Sequence, residues 1–247
     1  SSGYEEAAVQ GFVAGVNAAL KIKGEAPMVL DRSTCYIGTL IDDLVTKGTN
    51  EPYRMMASRS EYRLLHRQDN ADQRLSHIGR RIGLVSEEQY QKVVEKYEAV
   101  SQEVKRLENT YLSPSDKLNA LLTERGTTPP PSGVSLAALI RRPQLDYGCL
   151  AEFDPDRPVL PPAVKEQVEI TIKYAGYIEK QLRQVEEFQK MESKKLPENI
   201  DYSSINGVRL EARQKLAAVR PENIGQASRI SGVSPADIAA LMIFLEK

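Results

Sequence analysis

SEEQYQKVVEKYEAVSQEVKRLENTY, residues 86–111, decides the fold class. Ser86 and Gln89 have the spacing of a reciprocal cap, in which two side chains satisfy orphan backbone amides at a helix start. Tyr90, Val93, Tyr97, Val100, Val104, Leu107 and Tyr111 then alternate by three and four. One apolar stripe therefore runs along a helix from Glu87 to about Tyr111, expected to pack as one arm of an antiparallel helical pair.

The same period recurs on both sides of this stretch. From Tyr4 to Leu20, small residues at Ala7, Gly11 and Gly15 mark one face of a helix, with Glu5 and Glu6 at its positive end. So bare a face suits tight packing on a sheet or helix, or the wall of a cofactor cleft. Tyr36, Ile37, Leu40, Ile41, Leu44 and Val45 form a second helical stripe, stopped by Gly48. Asp42 and Asp43 lie beside that stripe and read as solvated carboxylates rather than a metal or acid–base pair. Ser58 with Glu61, and Asn70 with Gln73, repeat the capping spacing and predict a helix after each.

The longest helix is expected from about Ala163 to Lys195, with Val164, Val168, Ile172, Ala175, Ile178, Leu182, Val185 and Phe188 inward. It would be a supporting rod of roughly 50 Å. Proline and glycine break the chain at 125–135 and 154–162, with a short helix at Leu136–Arg141 between the breaks, capped by Ser135. Beyond Pro197, helices near 209–219, 224–231 and 235–246 make a small tail. With no β-alternating run, the expected fold is mostly α, a multi-helix region with one long supporting helix and a small C-terminal helical subdomain.

The chain has 247 residues, 41% apolar content and a formal net charge of −1, so any anion-binding surface is local rather than global. Cys35 and Cys149 sit far apart, with only His66 and His77 to join them, which excludes a zinc spacing and fits a reducing cytoplasm. No apolar run reaches the roughly 20 residues that span a bilayer. The opening SSGYEEAAVQGF enters a helix with no initiator methionine, as a piece from the middle of a longer chain would.

The local basic surface is Glu51–Arg81, with seven arginines, no lysine and four carboxylates. A guanidinium binds phosphate bidentately and stacks on bases, which an ammonium does not. If the helix after Ser58 forms, Arg59, Arg63 and Arg67 share one face; on the next, Arg74, His77 and Arg81 do. Tyr53 and Tyr62 would supply stacking surfaces, completing the basic and aromatic mixture that looped RNA requires. The plainer reading is internal pairing with Glu51, Glu61, Asp69 and Asp72.

A rival lies in the tail, where ASRISGVSPADI at 227–238 has the form of a helix-turn-helix, with Gly232 in the turn, Ser234 as cap and Pro235 at the first helical position. Reading base edges needs polar side chains at the start of the second helix, and PADIAALMIFLEK places Ala, Asp and Ile there. Core packing or docking of a partner protein suits it better than DNA. No nucleophile–base pairing, phosphate loop or metal motif occurs, so no catalytic residue is assigned.

GYEEAAVQG, YIGTLIDDLVTKGTNEPYRMMASRSEYRLLHRQDNADQRL and IGQASRISGVSPADIA resemble the C-terminal part of the glucose-inhibited division protein A family, across essentially the whole chain. The resemblance implies an FAD- and NADH-dependent parent enzyme that installs carboxymethylaminomethyl groups on the wobble uridine of certain tRNAs. It implies that residues 1–22 are the last helix of the flavin domain, that 23–196 bind tRNA, and that 197–247 bind the partner GTPase of the modification complex. Cofactor contacts then fall to Tyr4, Glu5, Gln10 and Gly11, with Gln10 against the flavin, and tRNA contacts to Arg54, Arg59, Arg63, Arg67, Arg74 and Arg81. The family is homodimeric. This chain departs from the family pattern in lacking the Gly-rich phosphate loop and the catalytic cysteines, which Cys35 and Cys149 do not match. By itself it is expected to be non-catalytic and not to hold FAD, and Cys35 to be a buried thiol.

Overall fold

The computed structural model describes residues 3–49 and 51–246, which fall into two units: residues up to 66 together with those from 180 onward, and residues 67–179. The first helix, α1 (Tyr4–Lys23), has Glu5 and Glu6 in its first turn and Lys21 and Lys23 in its last, both favourable to the helix dipole. Gly24, at φ 72°, closes it by donating its N–H to the Leu20 and Lys21 carbonyls. Only Glu6 and Leu20 are buried along α1. Nothing lies within 4 Å of where a Cβ at Gly11 or Gly15 would stand, so no described residue makes the close packing expected of that face. Asn17 anchors the returning chain, donating to the Met28 carbonyl at 3.0 Å and accepting from its N–H at 2.6 Å.

α2 (Tyr36–Asp42) runs on as a π-helical turn, Asp43–Lys47, and Gly48 ends it. Gly38 is imposed by the preceding loop, because a Cβ there would stand 2.1 Å from the Asp31 carbonyl oxygen. Beyond Gly48 the sequence expectation fails: the helix predicted after Ser58 is absent, leaving one 3₁₀ turn, Ala57–Arg59, before an extended Ser60. Tertiary bonds outcompete the cap. The Glu61 carboxylate accepts from Arg32 at 2.7 Å, Ser60 Oγ meets His66 Nδ1 at 3.1 Å, and Tyr62 packs edge-on against His66 and Phe188.

The second unit opens with α3 (Ala71–Arg81) and α4 (Glu87–Asn109), joined by Asp72, which accepts from Lys96 Nζ at 2.8 Å and Tyr97 Oη at 2.7 Å. The Ser86–Gln89 cap forms as expected. Asn70 precedes α3 without a capping bond and accepts instead from Arg74 Nε at 3.0 Å. α4 stops short of Tyr111, which is 68% exposed and begins a two-residue strand, β1 (Tyr111–Leu112). After α5 (Asp116–Glu124), β1 pairs antiparallel with β2 (Val134–Ser135), Tyr111 opposite Ser135, and Ser135 caps α6 (Leu136–Ile140). Leu107, Leu118, Leu122, Leu136 and Leu139 form the centre of this unit's core. α7 (Pro162–Ser193) starts here and contributes Val164, Val168 and Ile172. Past Ile172 the predicted inward stripe is interrupted, Ala175 and Leu182 being exposed, while Ile178, Val185 and Phe188 are partly buried and Phe188 packs against Tyr62.

The part of the first unit from residue 180 contains the end of α7 and then α8 (Leu210–Val219), α9 (Ile224–Arg229) and α10 (Pro235–Leu245). Its core gathers Leu196, Ile205, Leu216, Ile224, Ile238 and Leu241. Ser234 caps α10 with Asp237 in a reciprocal box, and Pro235 stands in the first turn, as the sequence requires. The mostly α fold is thus the observed one, with the β1–β2 pair its only sheet among the described residues.

Candidate nucleic-acid interface

The first unit builds its charged site on a buried guanidinium. Arg32, its side chain 2% exposed, donates through Nη1 to Asp42 at 2.9 Å and Asp43 at 2.6 Å, and through Nη2 to Glu61 at 2.7 Å. Asp43 also accepts from Tyr53 Oη at 2.7 Å and pairs with Lys47 Nζ at 2.8 Å. Burial works to raise the Asp43 carboxyl, yet the bonds from Lys47, Tyr53 and Arg32 outweigh it and hold the group below the usual carboxylate range. Tyr53 is pushed the other way, by burial and by the Asp43 charge it faces. Asp42 and Asp43 are therefore a structural anchor, not the solvated pair expected from their place on a helix.

Above this anchor opens a cavity of about 400 Å³ lined by Asp43, Lys47, Thr49, Glu51, Tyr53 and Arg59, among others. The Arg59 guanidinium lies 4.4 Å over the Tyr53 ring and spends Nε on the Arg54 carbonyl at 3.0 Å. Its two terminal nitrogens, with no acceptor among the described residues, remain to bind an oxyanion in the planar two-pronged manner of guanidinium. The sequence reading passes over Lys47 because its significance depends on the helix turn that brings it into the cavity Arg59 also lines; the i, i+4 spacing from Asp43 is its one visible signal.

The remaining arginines divide. Arg63 is exposed with no ion pair among the described residues, and so is Arg81 at the end of α3. Arg67 holds both Asp69 carboxylate oxygens at 3.1 Å, and Arg74 bonds Asn70 and the Arg67 carbonyl. These two act in the internal pairing that was the plainer reading. The shared face of Arg59, Arg63 and Arg67 does not exist, because the helix that would carry it is absent. Tyr53 and Tyr62, 4% and 5% exposed, cannot offer faces to bases. Phosphate contact, rather than stacking, is what this surface can provide.

Around the N-terminus, a second cavity of about 430 Å³ is lined by Glu5, Glu6, Val9, Tyr36, Ile37, Arg54 and neighbours. Of the proposed cofactor contacts only Glu5 lines it; Tyr4 is 94% exposed, Gly11 is exposed, and Gln10 donates to the Glu6 carbonyl at 3.0 Å. Glu6 is buried, accepts from the Met55 N–H at 2.6 Å, and keeps Oε2 without a partner. Two carboxylates beside one arginine oppose the pyrophosphate of a dinucleotide, so these residues do not by themselves fit an FAD. Among the described residues no cluster of His, Cys, Asp or Glu could hold a metal, and no helix is long and apolar enough to cross a membrane. Cys35 is buried, as expected.

Two family models match the chain: the tRNA modifying enzyme MnmG/GidA C-terminal helical domain over residues 87–182, and the MnmG/GidA C-terminal helical bundle over 184–247. The tRNA uridine 5-carboxymethylaminomethyl modification enzyme MnmG of Caldicellulosiruptor saccharolyticus is 60% identical over 247 residues, all of this chain and 40% of that protein. The protein of the same name from Clostridium kluyveri is 58% identical, over 100% of this chain and 39% of its own length. The form II crystal structure of Aquifex aeolicus GidA superposes with a TM-score of 0.82 at 43% identity, over 100% of this chain and 39% of that one. The chain thus spans about two fifths of the length of these relatives. Helical content, sequence and superposition agree: the chain belongs to the MnmG/GidA family of tRNA-modifying enzymes, as its C-terminal helical part.

Proposed function

We propose that this chain is the tRNA- and partner-binding portion of a flavoenzyme that adds a carboxymethylaminomethyl group to C5 of the wobble uridine of certain tRNAs. The 60% identity to an enzyme of that name along every residue of the chain carries the reading. FAD and NADH would be held by the rest of the polypeptide, in a cytoplasmic homodimer, with Gln10 reaching the flavin. Within this chain, Arg54, Arg59, Arg63 and Arg81 remain candidates for phosphate contact, and the cavity at Arg59 and Lys47 would take one backbone phosphate. The helix-turn-helix alternative loses its footing, since α10 exposes Ala236, Ala239 and Ile243, none of which can read a base edge.

The test is tRNA binding by the full-length protein across a salt series. Arg59→Glu with Arg63→Glu should weaken binding while FAD content stays unchanged. Each lost phosphate contact should also flatten the slope of log affinity against log salt by about one. Unaltered affinity at low salt would sink the role given to these arginines.

A further inference from the structure

We infer that Arg229 of α9 is a positioning residue for the cavity at Arg59 and Lys47, so that the tail helices regulate RNA affinity there through a chain of buried ion pairs. This rests on the reading of that cavity as a phosphate site. The path is continuous within the first unit. Arg229 Nη2 donates to Asp42 Oδ1 at 2.9 Å, and Asp42 Oδ2 accepts from Arg32 Nη1 at 2.9 Å. The same Arg32 nitrogen holds Asp43 Oδ1 at 2.6 Å, and Asp43 in turn holds both Lys47 and the hydroxyl of Tyr53, over whose ring the Arg59 guanidinium lies.

The sharing of one Arg32 nitrogen between two aspartates gives the chain its leverage. With Arg229 in place, Asp42 has a second cation and Arg32 remains on Asp43. Withdrawing Arg229 leaves Asp42 to draw Arg32 toward itself, which uncovers the Asp43 charge. That charge, already in contact with Lys47 at 2.8 Å, then lowers the potential that an incoming phosphate meets at Arg59 and Lys47 together.

Arg229 is set to respond to movement of the tail. Its side chain is 9% exposed, it is held on its other prong by Glu192 at 2.7 Å, and its guanidinium lies 5.0 Å over Phe188. Its Nε is buried with no acceptor, so the grip depends on two carboxylates alone. α9 packs on the π-helical turn Asp43–Lys47 itself, and α10, with its exposed Ile243 and Phe244, follows α9 closely in the chain. A protein partner that shifts these helices would shift Arg229 with them.

The experiment is a double-mutant cycle in the full-length protein, with a tRNA transcript bearing a wobble uridine, titrated over a salt series. Arg59→Ala and Arg229→Gln should each weaken binding, Arg229→Gln by roughly tenfold. Each should flatten the salt slope by about one, and the double variant should lose no more than Arg59→Ala alone. A purely structural Arg229 would not move the salt slope. If Arg59→Ala binds as tightly as the parent, the phosphate-site reading fails and the inference falls with it. If Arg59→Ala weakens binding but Arg229→Gln does not, or the two losses multiply, the inference alone is overturned. Arg229→Lys carries the same cycle should Arg229→Gln fail to fold; unfolding of both variants overturns the inference in favour of a fold-stabilising role.

Discussion

Asp237, at the third position of α10, receives the Arg209 guanidinium at 2.7 Å across 28 residues of chain while also accepting the Ser234 N–H that caps its own helix. One carboxylate, 1% exposed, thereby fastens the start of α8 to the start of α10.

The bonds from Arg209, against a smaller opposing effect of burial, hold the Asp237 carboxyl far below its ordinary value. A depressed carboxylate contributes its stability in full above the unfolded value of about 3.9, and loses it as pH falls from there toward the folded value. Stability should therefore be insensitive to this group from pH 7 to 5 and fall below about pH 4. Asp237→Asn should cost about 2 kcal/mol at pH 7 and remove that part of the acid loss. Urea unfolding at pH 3, 5 and 7 measures both, and an unchanged acid limb in the variant contradicts the assignment.

In the second unit, Arg106 bonds Glu103 and Asp154, which are 3% and 5% exposed, and Glu103 also accepts the Tyr147 hydroxyl at 2.7 Å. Arg106→Met strands two buried carboxylates and should cost roughly 3–5 kcal/mol. Tyr147→Phe removes one hydrogen bond and should cost about 1 kcal/mol. Denaturant midpoints that rank the two variants the other way would refute this account.

Two glycines should respond oppositely to alanine. Gly38→Ala drives a Cβ into the Asp31 carbonyl, a backbone atom that cannot rotate away, and should cost about 3 kcal/mol or more. Gly15→Ala, in open space on α1, should stabilise this chain by about 0.5–1 kcal/mol. Thermal melts of the two variants decide it; a destabilising Gly15→Ala would mean that the face is already covered.

Partner docking on α10 is best tested at its surface. Deleting the helix would remove Ile238 and Leu241 from the tail core, whereas Ile243 is 61% exposed. Ile243→Glu should leave the melting temperature within a few degrees and abolish co-purification with the GTPase partner proposed for the complex. Retained association would leave the exposed apolar face of α10 without that role.

The helices with a continuous stripe and a cap that closes locally were legible from residues alone. The helix α4 after Ser86, the short helix α6 after Ser135 and the Pro235 helix α10 all form where the local pattern places them, because their capping bonds close between atoms a few residues apart, and Asp237 keeps its bonds to Ser234 even while Arg209 binds it. The Ser58–Glu61 pattern was locally as good and failed, since Glu61 is claimed by an arginine 29 residues earlier and Ser60 by His66. The same cause rearranged the candidate site. Apolar periodicity and capping spacings in the sequence determined a mostly α chain, and the arginine count of 51–81 a cationic stretch. Which guanidiniums stay outward, and that Lys47, Asp43, Arg32 and Arg229 stand behind Arg59, was decided only in the tertiary structure. Ion pairs between distant residues form when folding removes both partners from water, and no periodicity in the sequence records them.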